Sequence, residues 1–410
     1  MASGTTRVSM AEHLERVLAL AAPRVERGVA LDRAAGQVLA ADSVAVLAVP
    51  PFDNSAMDGF AVHAADLRGA GPRTLPVAGE IAAGSVPVDC PPGHAVRVMT
   101  GAPVPPGEDI IVVPVEQTDI SPGPVPLPRS VRILRVDPAR SHVRPRGANL
   151  AEGGVVAAEG TALDAGALAA LISAGVREVD VYARPRVAVI STGDELAAWP
   201  GTPGPAQQPD SNLPMLAALV SANGAGEVHR RRAADAPDTF ADLLDEAAAN
   251  TDVVLTSGGI SAGAYDVVRA AVEPMGRAWF GGVDQRPGGP QGAGRWKGAA
   301  LVCLPGNPVA AWVSFHLYVA PLLRTCAHGR PVPAPQLRAR TGAGFRPPRS
   351  TSPQVVPVRL DFSGPAPVAT HFSRSAHGSS DVTSLTGVAG YTVLHPGPVP
   401  DTLTVYLTES

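Results

Sequence analysis

Lysine is almost missing from this 410-residue chain: of its 33 cationic residues only Lys297 is a lysine, so amine chemistry would have a single candidate. Cysteine is nearly as scarce. Cys90, Cys303 and Cys326 form no CxxC pair and no Cys/His spacing suited to structural zinc, which fits a reducing compartment. No basic block occurs, and 33 Lys and Arg against 37 Asp and Glu leave a net charge of −4. That balance argues against a nucleic-acid or anionic-membrane surface. The N-terminus has no basic segment followed by an uncharged apolar run, because Glu12, Glu15 and Arg16 interrupt it. No signal peptide is expected, and the expected location is cytoplasmic. The most apolar stretch, 299–323, is broken by Pro305, Gly306, Asn307 and Pro308, which leaves too short a clean run to span a bilayer. It reads as a strand, a turn and a buried helix. No fixed period marks a solenoid or propeller.

Glycine and proline are abundant, 43 of each, in a chain that is 45% hydrophobic. That apolar share makes the chain globular, so these residues punctuate folded structure. At roughly 100–200 residues per domain the length allows about two to four domains. Ser9 and Glu12 form a capping-box pattern, and Leu14, Val17, Leu18 and Ala21 continue at helical spacing, which predicts a first helix. Residues 44–149 change to short apolar segments, among them 46–49, 95–99 and 110–115, broken by Pro/Gly clusters. They read as mainly β, with 121–128 a loop or hairpin tip. A helix returns at 164–174 and stops at Gly175. The pattern predicts a discontinuous helical domain (1–43 and 150–183) interrupted by a β insertion (44–149), its two helical pieces burying their apolar faces against each other. Within 184–330, strands at 187–190, 252–256 and 300–304 alternate with helices at 213–220, 239–249, 267–274 and 309–323. This is the pattern of a mostly parallel α/β sheet. Residues 331–410 read as a further β region, with apolar segments at 355–360, 391–394 and 402–407. The fold class is therefore multi-domain, α/β plus β.

Ligands of an open parallel sheet gather beyond the carboxyl ends of its strands. Three polar loops hold that position: Ser191-Thr192-Gly193-Asp194-Glu195, Thr256-Ser257-Gly258-Gly259-Ile260-Ser261-Ala262-Gly263, and Leu304-Pro305-Gly306-Asn307-Pro308. In the second, three glycines and two serines allow close backbone approach to an anion and supply N–H and hydroxyl donors, as a phosphate nest requires. Taken alone, it is equally a tight strand-to-helix turn. Asp194, Glu195, Asp235 and Asp266 lie beside these donors, and carboxylates next to a phosphate fit a bridging Mg²⁺. Asp194 and Asp266 can also be read as helix N-caps. In the β region, Pro50-Pro51-Phe52-Asp53-Asn54-Ser55-Ala56-Met57-Asp58-Gly59-Phe60 builds a rigid loop in which Asp58 before Gly59 suits a hairpin turn. With Met99-Thr100-Gly101-Ala102-Pro103-Val104-Pro105 and Arg144-Pro145-Arg146-Gly147-Ala148-Asn149, it suggests a second binding surface.

In their order along the chain, Phe52-Asp53-Asn54-Ser55-Ala56-Met57-Asp58-Gly59, Met99-Thr100-Gly101-Ala102, Ser191-Thr192-Gly193-Asp194-Glu195-Leu196, Ser257-Gly258-Gly259, Ser261 with Gly263 and Asp266, and Leu304-Pro305-Gly306-Asn307-Pro308 resemble the motifs of the molybdopterin molybdenumtransferases. The resemblance covers nearly the whole chain. It implies a helical domain interrupted by the β insertion, a central molybdopterin-binding-like α/β domain and a C-terminal β-barrel. It also implies an elongated homodimer whose active cleft lies between the α/β domain of one subunit and the β insertion of the other. Molybdopterin adenylate and molybdate would be the substrates and Mg²⁺ the cofactor, with AMP released as molybdenum cofactor forms. Other cofactor-biosynthesis proteins and apo-molybdoenzymes would be candidate partners. By motif position the resemblance gives catalytic roles to Asp58, Thr100, Glu195, Asp235 and Asp266. Glu195 and Asp266 would handle Mg²⁺ and the adenylate, and Asp58 and Thr100 would reach the cleft from the partner subunit. Ser257, Gly258, Gly259, Ser261 and Gly263 match the pterin-phosphate loop, Pro305 and Pro308 the rigid loop that shapes the site, and Ser384 a serine-bearing C-terminal segment.

Two departures thin the charge. Where the family carries a lysine-bearing K-P-G-K-P segment, this chain reads Val283-Asp284-Gln285-Arg286-Pro287-Gly288-Gly289-Pro290. Arg286 keeps the first cation and can clamp an oxyanion bidentately, but Gly289 offers only backbone in place of the second. Lys297 is the nearby cation that could compensate or simply be solvated. Asn149 stands where an acidic residue follows the Arg-x-x-Gly pattern, keeping hydrogen bonding without charge. His377 reads as a surface residue. The departures leave open a catalytically weakened paralogue that binds pterin or a partner protein as a scaffold. A nucleotide or pterin hydrolase would explain the phosphate loop but not the motifs at 52–59 and 99–102.

Overall fold

The computed structural model describes residues 7–69, 71–137, 140–234, 236–260, 266–348, 350–373 and 381–408. They form two compact units, Gly28–Val179 on one side and Met1–Arg27 with Asp180–Ser410 on the other.

In the Gly28–Val179 unit, the largest element is a five-stranded sheet in the order Ile110–Pro114, Gly59–His63, Ala95–Val98, Arg73–Ile81, Ser130–Ile133. Alternating side chains bury one face around Ala61, Val96, Val98 and Val112 and the other around Phe60, Val62, Val113 and Val131. Gly59 opens a central strand and is not part of a hairpin turn. A Cβ there would stand 2.1 Å from the Val113 carbonyl oxygen, so only glycine lets these two strands close. Residues 46–49, expected as a strand, form a loop with a single bridge from Val49 to Leu150, and Val46 and Leu47 are exposed. The helix Ala165–Ser173 is capped by Asp164, which accepts from the Ala167 N–H at 2.8 Å. It stops at Gly175, whose φ of +76° favours glycine.

The second unit is built on a six-stranded sheet in the order Glu227–Ala233, Arg186–Thr192, Val253–Ser257, Ala299–Leu304, Pro290–Trp296, Ala278–Gly282. The first four strands are mutually parallel and 290–296 runs antiparallel to its neighbour on either side, so the sheet is mixed. Helices cover both faces. Asn212–Ala222 and Pro308–His328 pack through Leu216, Phe315 and Leu322 on Val187, Val189 and Val302. Pro237–Asn250 and Val267–Val272 pack through Phe240, Leu244 and Val268 on Ala188, Ile190 and Leu301. Burial on both faces is why the inner strands read as continuous apolar runs. The helix Pro308–His328 is longer than the expected 309–323 and long and apolar enough to cross a bilayer, but 83% of its most apolar window is buried inside the protein, as in a core helix.

The first helix, Met10–Leu18, makes both capping-box bonds, from Glu12 N to Ser9 Oγ at 3.2 Å and from Ser9 N to Glu12 Oε2 at 2.6 Å. It corrects one expectation. Its Val17 lies in the α/β core with Leu322 and Leu323, and the His13 ring packs tilted against Trp279 and edge-on against Tyr318. The larger apolar surface of the α/β core, rather than the 165–173 helix, thus receives its stripe. The segments 28–43 and 150–179 carry short strands and that one helix. Farther along, Gln336–Thr341, Gln354–Asp361, Val368–His371, Gly390–Leu394 and Thr402–Leu407 close the C-terminal barrel around Ala339, Val358, Leu403 and Val405.

Candidate functional site

Three adjacent parallel strands end at Thr192, Ser257 and Leu304, which sets their following loops side by side. The strand 278–282 runs antiparallel to 290–296, and 290–296 antiparallel to 299–304, so the loop 283–289 emerges at the same edge. This carboxyl edge therefore gathers Glu195, Ser257, Gly258, Gly259, Asp266, Arg286, Pro305 and Pro308 from distant parts of the sequence. Asp235, Ser261 and Gly263 lie outside the described residues, as does His377.

Gly258 and Gly259 have φ of +95° and +65°. A Cβ at Gly258 would lie 2.8 Å from the Thr192 carbonyl oxygen, and one at Gly259 would lie 3.1 Å from Thr192 Oγ1 and 3.2 Å from the Val268 nitrogen. The turn thus needs glycine twice, once for conformation and once for space. Thr192 Oγ1 is buried and has no hydrogen-bond partner among the described residues. Gly258 donates its N–H to Leu304 O at 3.1 Å, tying this loop to the next. Gly193, with φ of +142°, does similar service for Glu195: a Cβ would lie 2.6 Å from Glu195 Oε2, so the carboxylate folds back over bare backbone. Asp266 occupies the N-cap position of the 267–272 helix, where its side chain makes no capping bond. Arg286 is exposed, and its backbone is clamped to the barrel segment by Arg286 N to Pro353 O at 3.0 Å and Val355 N to Arg286 O at 2.8 Å. Pro305 is buried, and Pro308 begins a helix whose N-cap is Asn307, accepting from Ala310 N at 3.0 Å.

Beneath these loops runs a polar network formed by residues at the start of the 212–222 helix. Asp210 is only 3% exposed and accepts from Ser191 Oγ at 2.5 Å and Leu213 N at 3.1 Å, with Arg232 Nε 3.8 Å away. Asn212 is 6% exposed, and its Nδ2 donates to Ser257 Oγ at 2.8 Å and to Gly306 O at 2.7 Å. The Ser257 hydroxyl also faces Pro305 O at 3.4 Å. Ser257 is therefore bonded within the protein and fixes its loop. Burial of Asp210 and Asn212 was the missing information, because Asp-Ser-Asn before an apolar run has the same sequence signature as an exposed cap.

The three unusual motifs of the β insertion also meet, within the Gly28–Val179 unit. Asp58 Oδ1 accepts from both the hydroxyl and the backbone N–H of Thr100, each at 2.7 Å. Those two bonds hold the Asp58 carboxyl below its ordinary range. Ser55 N donates to Ala102 O and Gly101 N to Ser55 O, while Asp53 Oδ1 accepts from Arg146 N at 2.6 Å and Asn54 pairs with Arg144. Asn149 is exposed and donates its N–H to Val49 O.

One residue stands apart from the carboxyl edge. Lys297 occupies the turn before the 299–304 strand, at the opposite, amino edge, and pairs with Asp245 at 2.7 Å. It does not replace the cation missing at Gly289. Ser384 donates to Asp381 Oδ2 at 2.5 Å in a short 3-10 turn that packs against the first turns of the 308–328 helix. Asp381 also accepts from Ser373 and Thr383, and these hydroxyls drive its carboxyl far below the ordinary range.

No three His, Cys, Asp or Glu side chains converge on one point among the described residues. Glu195 and Asp266 nevertheless supply hard carboxylate oxygens at the edge where the glycine turn lies. That donor set suits Mg²⁺, which keeps several waters and is held by one or two carboxylates together with substrate phosphates.

Two family models match the chain, the "MoeA N-terminal region (domain I and II)" over residues 8–175 and a "probable molybdopterin binding domain" over 188–325. Molybdopterin molybdenumtransferase 2 of Mycobacterium tuberculosis (strain H37Rv) is 45% identical over 319 residues, covering 74% of this chain and 76% of that protein. The molybdopterin molybdenumtransferase of Nostoc sp. is 36% identical over 297 residues, covering 70% and 66%. The crystal structure of a molybdopterin biosynthesis moea protein from Pyrococcus horikosii matches 99% of this chain and all of that one, with a TM-score of 0.81 and 28% identity.

Proposed function

The chain belongs to the molybdopterin molybdenumtransferase family, and on that premise we propose that it inserts molybdenum from molybdate into adenylylated molybdopterin, releasing AMP in a Mg²⁺-dependent step. The observation that carries the reading is the Gly258-Gly259 turn, held in left-handed backbone over a Thr192 oxygen that has no hydrogen-bond partner among the described residues, and set beside Glu195, Asp266 and Arg286 on one sheet edge. In this reading the loop 257–263, including Ser261 and Gly263, receives the pterin phosphate, and Arg286 orients an oxyanion with its guanidinium fork. Glu195 and Asp266 would hold Mg²⁺, with Asp235 as a further acidic group. The metal would supply charge neutralisation at the phosphoanhydride. Pro305 and Pro308 keep the third loop rigid, and Ser384 belongs to the barrel segment that packs on the same helix.

Asp58, its carboxylate held by two bonds from Thr100, would complete the cleft from the β insertion of the second subunit of a homodimer. The four-domain division at 44, 150, 184 and 331 and a cytoplasmic setting belong to the same reading. So does hand-over to other cofactor-biosynthesis proteins or apo-molybdoenzymes.

One observation favours a second reading, a catalytically weakened scaffold. Gly289 has no positive φ, and a Cβ there would make only ordinary contacts of 3.5 Å and 3.8 Å, so the fold does not impose the loss of a cationic side chain. The deciding experiment incubates the purified protein with molybdopterin adenylate, Mg²⁺ and molybdate, and follows AMP release and reconstitution of an apo-molybdoenzyme. Molybdate-dependent AMP release with reconstitution is expected. Binding without AMP release would leave the scaffold, and AMP release indifferent to molybdate would leave a hydrolase.

A further inference from the structure

Four parallel strands deliver their carboxyl ends to the proposed site, and a single three-residue segment touches all four. From Asp210, one bond reaches Ser191 on the 186–192 strand, and Arg232 on the 227–233 strand stands beside the same oxygen. From Asn212, one amide nitrogen reaches Ser257 at the end of the 253–257 strand and Gly306 beyond the 299–304 strand. Asp210 N also donates to Ala197 O at 3.0 Å, two residues beyond Glu195. Capping of the 212–222 helix explains the Leu213 N–H bond alone. It does not explain why the acid and the amide are buried, nor why the bonds fan out to separate loops.

We propose that Asp210 and Asn212 are positioning residues of this site, acting through Ser191, Ser257 and Gly306 to hold the three strand-end loops in one register. The inference rests on the functional reading above only for its consequence in turnover. The tie itself is independent of it. Asn212 is the more exposed to test, because both amide hydrogens are committed across loops while its Oδ1 is buried and has no hydrogen-bond partner among the described residues. Losing the donors leaves Gly306 O and the Ser257 hydroxyl to reorganise, and the loops separate. Misplacement of about 1 Å at a reacting centre lowers turnover on the order of a hundredfold.

The test compares the full-length protein with Asn212→Ala, Asn212→Asp, Asp210→Ala and, as a control at the far end of the same helix, Asn223→Ala. Backbone hydrogen exchange is followed at 191–197, 255–260 and 304–308, alongside kcat and KM for molybdopterin adenylate. Exchange in the loops is expected to rise in Asn212→Ala while the strand interiors stay protected, and kcat is expected to fall about a hundredfold. Asn212→Asp, the same shape without donors, should fail alike. Asn223→Ala should lower the melting temperature and leave both readouts in place. Asp210→Ala should loosen 191–197, and if it does not fold, Ser191→Ala removes the same bond from the strand side. A uniform rise in exchange across the sheet, rescue by Asn212→Asp, or loops that stay protected would overturn the proposal. If the wild type releases no AMP the functional reading fails, while the exchange pattern still decides the positioning role.

Discussion

The two edges of the six-stranded sheet solve opposite problems. At the amino edge, charges are paired: Asp252 takes Arg186 at 3.1 Å and Arg24 at 3.0 Å, and Lys297 faces Asp245. A concavity of about 250 Å³ lies there, lined among others by Arg186, Glu227, His229, Arg231 and Glu246. At the carboxyl edge Asp210 and Asn212 are instead buried and bonded to the loops, Glu195 is exposed, and oxygens of Thr192 and Asn212 are left without partners among the described residues. A buried orphan costs stability, so its retention points to a role other than stability. The carboxyl edge is therefore where a ligand would complete the bonding.

Substitutions can break this contrast. Asp266→Ala is expected to lower kcat by about 10²–10³, the scale of losing one preorganised electrostatic group, with a much smaller loss of pterin binding measured by titration. Equal losses in both would contradict its assigned role. At the other edge, Asp252→Asn should destabilise by about 3 kcal/mol in denaturant melts and leave turnover unchanged. Burial alone would raise the Asp252 carboxyl, but bonds from Arg186 and Arg24 outweigh it and hold the group below its ordinary 3.8. Its contribution is thus present above that value and lost as pH falls through the folded-state pKa, so the gap between wild type and Asp252→Asn should narrow in acid.

A glycine pair sharpens the comparison. Gly258→Ala adds backbone crowding to its left-handed strain, about 2–3 kcal/mol, and should weaken adenylate binding. Gly298→Ala has equal φ but open space around its Cβ, so only strain of about 1–2 kcal/mol is expected, with binding intact. The smallest effect is expected from Gly289→Lys. A new half-exposed charge should tighten molybdate by up to about fivefold, an increment that salt abolishes.

Much of the carboxyl edge was legible because its loops follow apolar runs that could only be buried strands. Less legible were elements whose side chains hide their state. The 227–233 strand carries three consecutive arginines and sits at the sheet edge, where charge is tolerated and no apolar alternation is required. The 278–282 and 290–296 strands are broken by glycines because a Cβ at Gly281 would enter the Trp279 ring, at Gly292 the Phe280 ring, and at Gly294 the Arg277 carbonyl. Such glycines resemble turns in sequence. The first helix was read correctly from Ser9 and Glu12, but its partner was not, because an amphipathic stripe states that a face is buried and not against what. Asp210 and Asn212 escaped for a related reason: their chemistry depends on burial, which their neighbours in sequence do not reveal.

The contrast between the edges is tested most directly by mapping hydrogen exchange of the wild-type protein with and without molybdopterin adenylate and Mg²⁺. The account predicts new protection at 191–197, 255–260 and 304–308, with none at 225–231 or 247–251. Protection confined to the amino edge would contradict it.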